Sequence, residues 1–353
     1  MPAGARGTAP PGRASMTLSP AQAAGSVTGA GTPTPAVAEV FDRYAGRLDR
    51  CRRALARSAP TALGDLLARE AGELLCRGKL VRGLIVHLAG AASGAGASGA
   101  GASGSRADPL ETCAYAIELL HGASLVHDDI VDRGTRRRGV PALHKQTGME
   151  VALVLGDYLL VHAYAVLASL GGLSADAVGL VSRYAQECCV GQARELAPTE
   201  PVTESVYVSI ARAKTGAVFA AAAELGVLVA GGTAARRAAA EQYGRSLGVA
   251  YQIRDDVLDL NREAPARGEP GGALLGEQRA TLPVIYLGER GPIPPADPAG
   301  MVDALEWETV LRRVRATQRH YIDSAVDALG AFEPSFEAGA LGALAQFAGG
   351  RLF

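Results

Sequence analysis

The chain has 353 residues, 48% hydrophobic and 20% charged, with a formal net charge of −1. That is the composition of a globular chain with enough apolar material for a large core, and the near-zero charge excludes the basic footprint of a nucleic-acid binder. The five cysteines, Cys51, Cys76, Cys113, Cys188 and Cys189, lack metal-ligand spacing and point to a reduced, cytoplasmic setting.

Residues 1–35 are dominated by Ala, Gly, Pro, Ser and Thr and read as a disordered tail, leaving one domain over 36–353. No secretory h-region follows the first basic residues. The Gly/Ala/Ser run from Gly90 to Ser105 reads as a flexible loop, as do the Gly/Pro-rich stretches 262–280 and 288–300. Elsewhere apolar residues recur at helical spacing over 108–127, 150–170, 175–196, 203–230, 234–260 and 307–330. The first of these opens with Asp108-Pro109, a capping acid followed by a proline suited to the first helical position. Val218 to Gly232 is strongly apolar, but Glu224 interrupts it and it is too short to span a bilayer, so no transmembrane segment is expected. Helices apolar on most faces belong in the centre of a bundle, and the expected fold is all-α.

Two of these helical segments carry the same acidic pattern. Leu125-Val-His-Asp-Asp-Ile-Val-Asp132 contains Asp128, Asp129 and Asp132; Tyr251-Gln-Ile-Arg-Asp-Asp-Val-Leu-Asp259 contains Asp255, Asp256 and Asp259. On a helix the first and last acids of each motif share a face one turn apart, where like charges destabilise, and apolar surroundings make this worse. A cation between them resolves the conflict. Carboxylate oxygens are the hard ligands Mg2+ takes, with phosphate oxygens completing the shell, so the motifs read as walls of an Mg2+–diphosphate site.

Basic residues accompany them. Arg133-Gly-Thr-Arg-Arg-Arg-Gly-Val-Pro-Ala-Leu-His144 follows the first motif, and arginine grips phosphate bidentately. Arg77-Gly-Lys-Leu-Val-Arg82 sets Lys79 and Arg82 one turn apart. Lys214-Thr215 lies within the apolar stretch Ile210–Leu228, where a lysine either snorkels or pairs with an anion. His121 and His127, each taken alone, read as core histidines.

In this order the motifs resemble those of the trans-isoprenyl diphosphate synthases, or polyprenyl synthetases, from Gly78 to Pro283. The resemblance is carried by His121-x-x-Ser-Leu-Val-His-Asp-Asp-Ile-Val-Asp132, Arg137-Arg138-Gly139-x-Pro141, Gly156-Asp157-Tyr-Leu-Leu160, Gly191-Gln192, Lys214-Thr215, Gln252-x-x-Asp-Asp-x-x-Asp259 and Thr281-Leu-Pro283. It implies a single-domain helical bundle of the isoprenoid synthase type, a homodimer, that condenses isopentenyl diphosphate with an allylic prenyl diphosphate using about three Mg2+ ions. It implies Asp128, Asp132 and Asp255 as principal Mg2+ ligands, with Asp129, Asp256 and Asp259 as further or water-mediated ones. Arg137, Lys214 and Arg279 match grips on the allylic diphosphate. Lys79, Arg82, His121 and Arg138 match the isopentenyl diphosphate site, and Thr215 and Gln252 line the reacting carbons. Lys214, Thr215, Gln252 and Arg279 are thus the catalytic candidates.

The chain departs from the family pattern in two places. Gly78-Lys-Leu-Val-Arg-Gly83 lacks an arginine and a proline, and in the 268–283 segment Glu269, Leu274, Gln278 and Arg279 replace a lysine, an aspartate, a glycine and a lysine. These changes bear on rate, product and metal or loop ordering rather than on reaction class. Ala123 and Ser124, the fifth and fourth residues before Asp128, are small where short-chain members often carry an aromatic residue, which implies a product of C20 or longer; Leu120, Ile117 or Tyr158 could close the pocket deeper down. A class I terpene synthase, or a prenyltransferase to a non-isoprenoid acceptor, would keep the acidic motifs but need no isopentenyl site. A non-catalytic partner subunit would typically have lost aspartates that are present here.

Overall fold

The computed structural model describes residues 35–58, 65–95, 108–137, 140–199, 201–262, 280–289 and 304–350. The expected tail, most of the Gly90–Ser105 run and most of the two Gly/Pro-rich stretches lie outside the described residues. The described helices fall in one compact unit, Gly31–Phe353, and the fold is all-α.

In chain order the helices are α1 Pro35–Leu55, α2 Asp65–Cys76, α3 Val81–Gly90 and α4 Pro109–Val131. A short antiparallel hairpin pairs β1 Arg136–Arg137 with β2 Val140–Pro141. Then come α5 Leu143–Thr147, α6 Met149–Ala168, α7 Ser174–Leu196, α8 Glu204–Ala211, α9 Ala217–Val229 and α10 Ala234–Arg262. The last three are α11 Leu282–Gly288, α12 Ala304–Ala328 and α13 Phe336–Ala348.

Helix α9 is the centre. Every residue from Ala217 to Val227 is buried, and α3, α4, α7 and α10 pack around it. Its run of alanines loses little entropy on helix formation and lets neighbours approach closely. Glu224, which interrupts its apolar run, is only 5% exposed and accepts hydrogen bonds from Arg183, Tyr184 and Arg237. At α4 the expected start is present: Asp108 accepts from the Leu110 amide at 2.9 Å, with Pro109 at the first helical position.

Three local departures from the sequence expectation matter for the site. The helix expected over 203–230 is broken by a π-helical turn, Arg212–Gly216, between α8 and α9. The glycine-rich run does not begin as a loop, because α3 runs on into a π-helical turn over Ala91–Ala95 that kinks at Gly94, where φ is 104°. Leu80 adopts a left-handed φ of 54° at the start of α3. Lys79 therefore precedes the helix that carries Arg82, and the two do not share a helical face.

The π-helical turn is gripped from two sides by glycines. A Cβ on Gly248 of α10 would lie 2.5 Å from Gly216 Cα, and one on Gly191 of α7 would lie 2.6 Å from the Lys214 nitrogen. Only a residue without a side chain allows backbones to meet this closely. One turn beyond Gly248 is Gln252; one turn beyond Gly191 is Glu195. The two contacts thus set which side chains face Thr215 and Lys214.

Helix α6 lies along α4 and is long and apolar enough, by length and composition, to cross a membrane, with a mean hydropathy of 1.8. It packs in the bundle on one face and exposes Leu153, Val154 and Val161 on another.

Gly248→Ala is expected to destabilise by about 1–3 kcal/mol through overpacking against backbone, lowering the midpoint of urea unfolding. An unchanged midpoint would count against the tight α10 contact. A second prediction concerns His87 in α3, which is 1% exposed. Arg47 Nη1 lies 3.2 Å from its Nδ1; arginine only donates, so that nitrogen is unprotonated. Burial, reinforced by Arg47, pushes the His87 pKa down to about 4. Between pH 6.5 and 4 the unfolded chain therefore holds a proton that the folded chain lacks. The contribution is complete above pH 6.5 and is lost as pH falls toward 4, amounting to about 3 kcal/mol. His87→Gln, which keeps an acceptor for Arg47, should flatten the pH dependence of unfolding across that window relative to the parent protein. Equal slopes would refute the assignment.

Candidate active site

One stripe of helix α4 opens toward the acidic motif. His121, Ser124, Leu125, Asp128 and Asp132 are half-buried, while Gly122, Ala123, Val126 and Asp129 between them are buried. These residues recur at three- and four-residue steps, so they share one face. The acids stand in the last turns of α4, and Asp255, Asp256 and Asp259 stand near the end of α10. The unpaired carbonyls of a helix C-terminus carry partial negative charge, which is unfavourable for carboxylates.

The structure divides the acids by what answers their charge. Asp129, 4% exposed, is clasped by Arg137 of β1: Nε reaches both carboxylate oxygens at 2.7 and 2.8 Å, and Nη2 reaches Oδ1 at 2.7 Å. The hairpin thus folds its arginine back on the first motif. Asp256 accepts from the Tyr207 hydroxyl at 2.6 Å and from Gln252 Nε2 at 2.8 Å. Burial nevertheless pushes its pKa up to about 7, against the opposing effect of those two donors and with Asp255 and Glu195 adding to the rise. Thr215 Oγ1 donates to Gln252 Oε1 at 2.7 Å. A continuous chain of hydrogen bonds therefore links the Lys-Thr turn to the second acidic motif and on to α8.

Between the motifs stand Lys214 and Glu195, joined by a short ion pair. Burial alone would depress the Lys214 ammonium, but Glu195, Asp128 and Asp132 outweigh it and its pKa is raised. The Asp128 carboxyl is raised first by burial and further by Asp132 and Glu195, with Lys214 opposing. Glu195 thus acts on both Asp128 and Asp256, so the two motifs face a common centre. Among the described residues, no three His, Cys, Asp or Glu side chains are gathered into a metal cluster; the acids surround the centre rather than meet at it. All the acids offer hard oxygen donors, which suits Mg2+. The Gln192 amide lies on the α7 face that carries Cys188 and Glu195, and neither its Oε1 nor its Nε2 has a hydrogen-bond partner. An unpaired buried amide costs about 1–3 kcal/mol, and a polar ligand would remove that cost.

The cationic candidates at the start of α3 and just before it rest on aromatic rings. Arg82 Cζ is 4.4 Å from the Phe219 centroid, and Lys79 Nζ is 5.4 Å from the Phe347 centroid. Phe219 stacks on Tyr251 of α10 at 5.1 Å. Burial, with Arg254 nearby, lowers the Lys79 pKa. His121 lies on the open α4 stripe with Ser124, whose hydroxyl donates to the His121 carbonyl at 2.9 Å, while Ala123 is 3% exposed and packed in the core. Arg138 and Arg279 lie outside the described residues, as does the side chain of Asp259.

Sequence reasoning missed Glu195, Tyr207, Cys188 and Arg254. The Cys188 thiol donates to the Lys214 carbonyl at 3.1 Å, and burial, then Cys189 and Asp128, push its pKa up to about 12, so it is a wall rather than a nucleophile. Glu195 follows Gly191-Gln192 by one turn, a legible signal. Tyr207 has none, since it belongs to no motif and reaches Asp256 only through the fold.

A family model described as polyprenyl synthetase matches residues 65–292. Over 181 residues the chain is 38% identical to a short chain isoprenyl diphosphate synthase from Methanothermobacter thermautotrophicus, covering 50% of this chain and 56% of that protein. It is 35% identical over 245 residues to a geranylgeranyl diphosphate synthase from Mycobacterium tuberculosis, covering 67% of this chain and 66% of that one. The chain thus spans little more than half the length of the first of these relatives. Among solved structures, a polyprenyl synthase from Caulobacter crescentus complexed with calcium and isoprenyl diphosphate superposes with a TM-score of 0.73 at 25% identity, covering 89% of this chain and 98% of that one. With the acidic motifs facing one centre in an all-α bundle, the chain belongs to the polyprenyl synthetase family.

Proposed function

We propose that the protein is a trans-prenyltransferase that condenses isopentenyl diphosphate with an allylic prenyl diphosphate and gives an all-trans product of C20 or longer. The observation that carries this reading is the two-sided charge layout. Acidic motifs face Lys214 on one side, and Lys79 and Arg82 rest on aromatic rings on the other, as two diphosphates require.

Asp128, Asp132 and Asp255 would hold the divalent metal, with Asp129, Asp256 and Asp259 in support. About three Mg2+ ions would neutralise the charge of the departing diphosphate. Lys214, Arg137 and Arg279 grip that diphosphate, and Lys214 exchanges part of its contact with Glu195 for the phosphate. Thr215 and Gln252, locked by the hydrogen-bond chain to Asp256 and Tyr207, hold their dipoles beside the allylic carbon as its C–O bond ionises. Lys79, Arg82, His121 and Arg138 hold isopentenyl diphosphate so that its double bond meets that carbon. The proton then lost passes to the released diphosphate. The buried walls of α4, α7 and α9 keep water from the cation.

Similarity to a geranylgeranyl diphosphate synthase supports the chain-length reading, as do Ala123 and Ser124. The exposed apolar face of α6, with Leu153, Val154 and Val161, is the surface we assign to a second copy of the chain, and the reduced cysteines suit a cytoplasmic enzyme.

The test is product identification by mass after incubation with isopentenyl diphosphate and each of dimethylallyl, geranyl, farnesyl and geranylgeranyl diphosphates. Turnover should need both substrates and stop when EDTA removes the metal. Turnover without isopentenyl diphosphate would transfer the protein to the cyclising or acceptor-transfer class, and a product ending at C15 would overturn the length assignment. Ser124→Phe should shorten the product by one or more isoprene units. It is a better probe than Ala123→Phe, because Ala123 is packed in the core and a larger side chain there strains the fold.

A further inference from the structure

Arg254 precedes the second acidic motif and is 6% exposed, with an Nε that has no hydrogen-bond partner. Arginine does not deprotonate in proteins, so this is a permanent buried charge. Among the described residues no carboxylate pairs with it. Its guanidinium lies 5.3 Å from the centroid of Phe347, the ring that Lys79 approaches at 5.4 Å. Two cations therefore share one aromatic ring, and neither has an acidic partner among the described residues. Cation–π attraction to phenylalanine is weak beside the cost of desolvating a guanidinium next to a like charge.

The arrangement is held in place. Gln318 of α12, itself 3% exposed, donates to the Ala250 carbonyl of α10 at 3.1 Å and to the Ala348 carbonyl of α13 at 3.2 Å. Ala250 is one turn before Arg254 and Ala348 is next to Phe347, so the amide pins the ring against the arginine. The charge of Arg254 also lowers the Lys79 pKa, after burial. A buried arginine held beside a half-buried lysine on one ring calls for an anion to answer the two like charges.

We propose that Arg254 binds the diphosphate of the second substrate together with Lys79, so that α10 presents a cation to one diphosphate and carboxylates, through metal, to the other. This rests on the prenyl-transfer reading above. The planar fork of arginine suits two phosphate oxygens at once, and Phe347 brings the C-terminal helix α13 into the same subsite.

The experiment compares Arg254→Gln, Arg254→Lys and the parent protein. The KM for isopentenyl diphosphate should rise about tenfold to a hundredfold in Arg254→Gln, the scale of one charged hydrogen bond. It should rise less in Arg254→Lys, while the KM for farnesyl diphosphate stays within about twofold. A second arm measures thermal unfolding in EDTA with and without inorganic pyrophosphate. Without pyrophosphate Arg254→Gln should unfold no lower than the parent, because an unanswered buried charge has been removed. With pyrophosphate the parent should be stabilised more than the variant. An unchanged KM for isopentenyl diphosphate, or equal pyrophosphate shifts, would overturn the proposal, as would failure of Arg254→Gln to fold while Arg254→Lys folds. Absence of isopentenyl-dependent turnover in the parent would instead sink the prenyl-transfer reading, and the pyrophosphate arm would still judge Arg254.

Discussion

Carboxylates placed at the C-terminal ends of helices buried in a bundle are the constraint around which this structure is arranged. Asp128 and Asp129 meet three penalties there: their neighbours' charge, the negative end of their helix and the loss of water. The protein answers them differently. Asp129 is neutralised outright by Arg137 from the hairpin. Asp256 is held by two neutral donors, which orient it without cancelling its charge. Asp128 and Asp132 face Lys214, itself shared with Glu195. The result is a centre in which several carboxylates outnumber the one ammonium of Lys214 between them, a distribution that attracts divalent cations.

The arrangement depends on backbone contact as much as on charge. The π-helical turn 212–216 offsets the helical phase by an extra residue, which turns Lys214 and Thr215 toward the centre between two apolar helices. Gly191 and Gly248 let α7 and α10 touch that turn, and each places its working side chain one helical turn further on. The alanines of α9 serve the same end, because a helix with small side chains can be surrounded on every side. Packing and chemistry are therefore one problem here: a methyl group at Gly248 would disturb both the helix crossing and the Thr215–Gln252–Asp256 chain.

Elsewhere the charge is reversed, and aromatic rings lie against the cations. Phe219 and Phe347 carry Arg82, Lys79 and Arg254. A ring stabilises a cation without satisfying it, which leaves the donors of Lys79 and Arg254 available for an anionic ligand. An acidic group and a cationic group in one bundle suit the proposed joining of two diphosphate substrates, in which one ionises while the other is held still.

Much of this was legible in the chain itself. Helical spacing of apolar residues identified the bundle, Asp108-Pro109 marked the start of α4, and the repeated acidic motif named six aspartates by local pattern alone, because those signals depend on residues within one or two turns of each other. Gly191-Gln192 and Lys214-Thr215 were visible as motifs, but not the reason for them. That Gly191 touches the backbone of Lys214, that Tyr207 completes Asp256, that Arg137 closes on Asp129 and that Lys79 and Arg254 approach the same Phe347 ring depend on which helices meet and at what depth. The sequence by itself determined the kinds of groups and their spacing along each helix. Only the tertiary structure decided which charges are answered within the protein and which are left for a ligand, because desolvation and pairing are properties of what surrounds a side chain after the helices have packed.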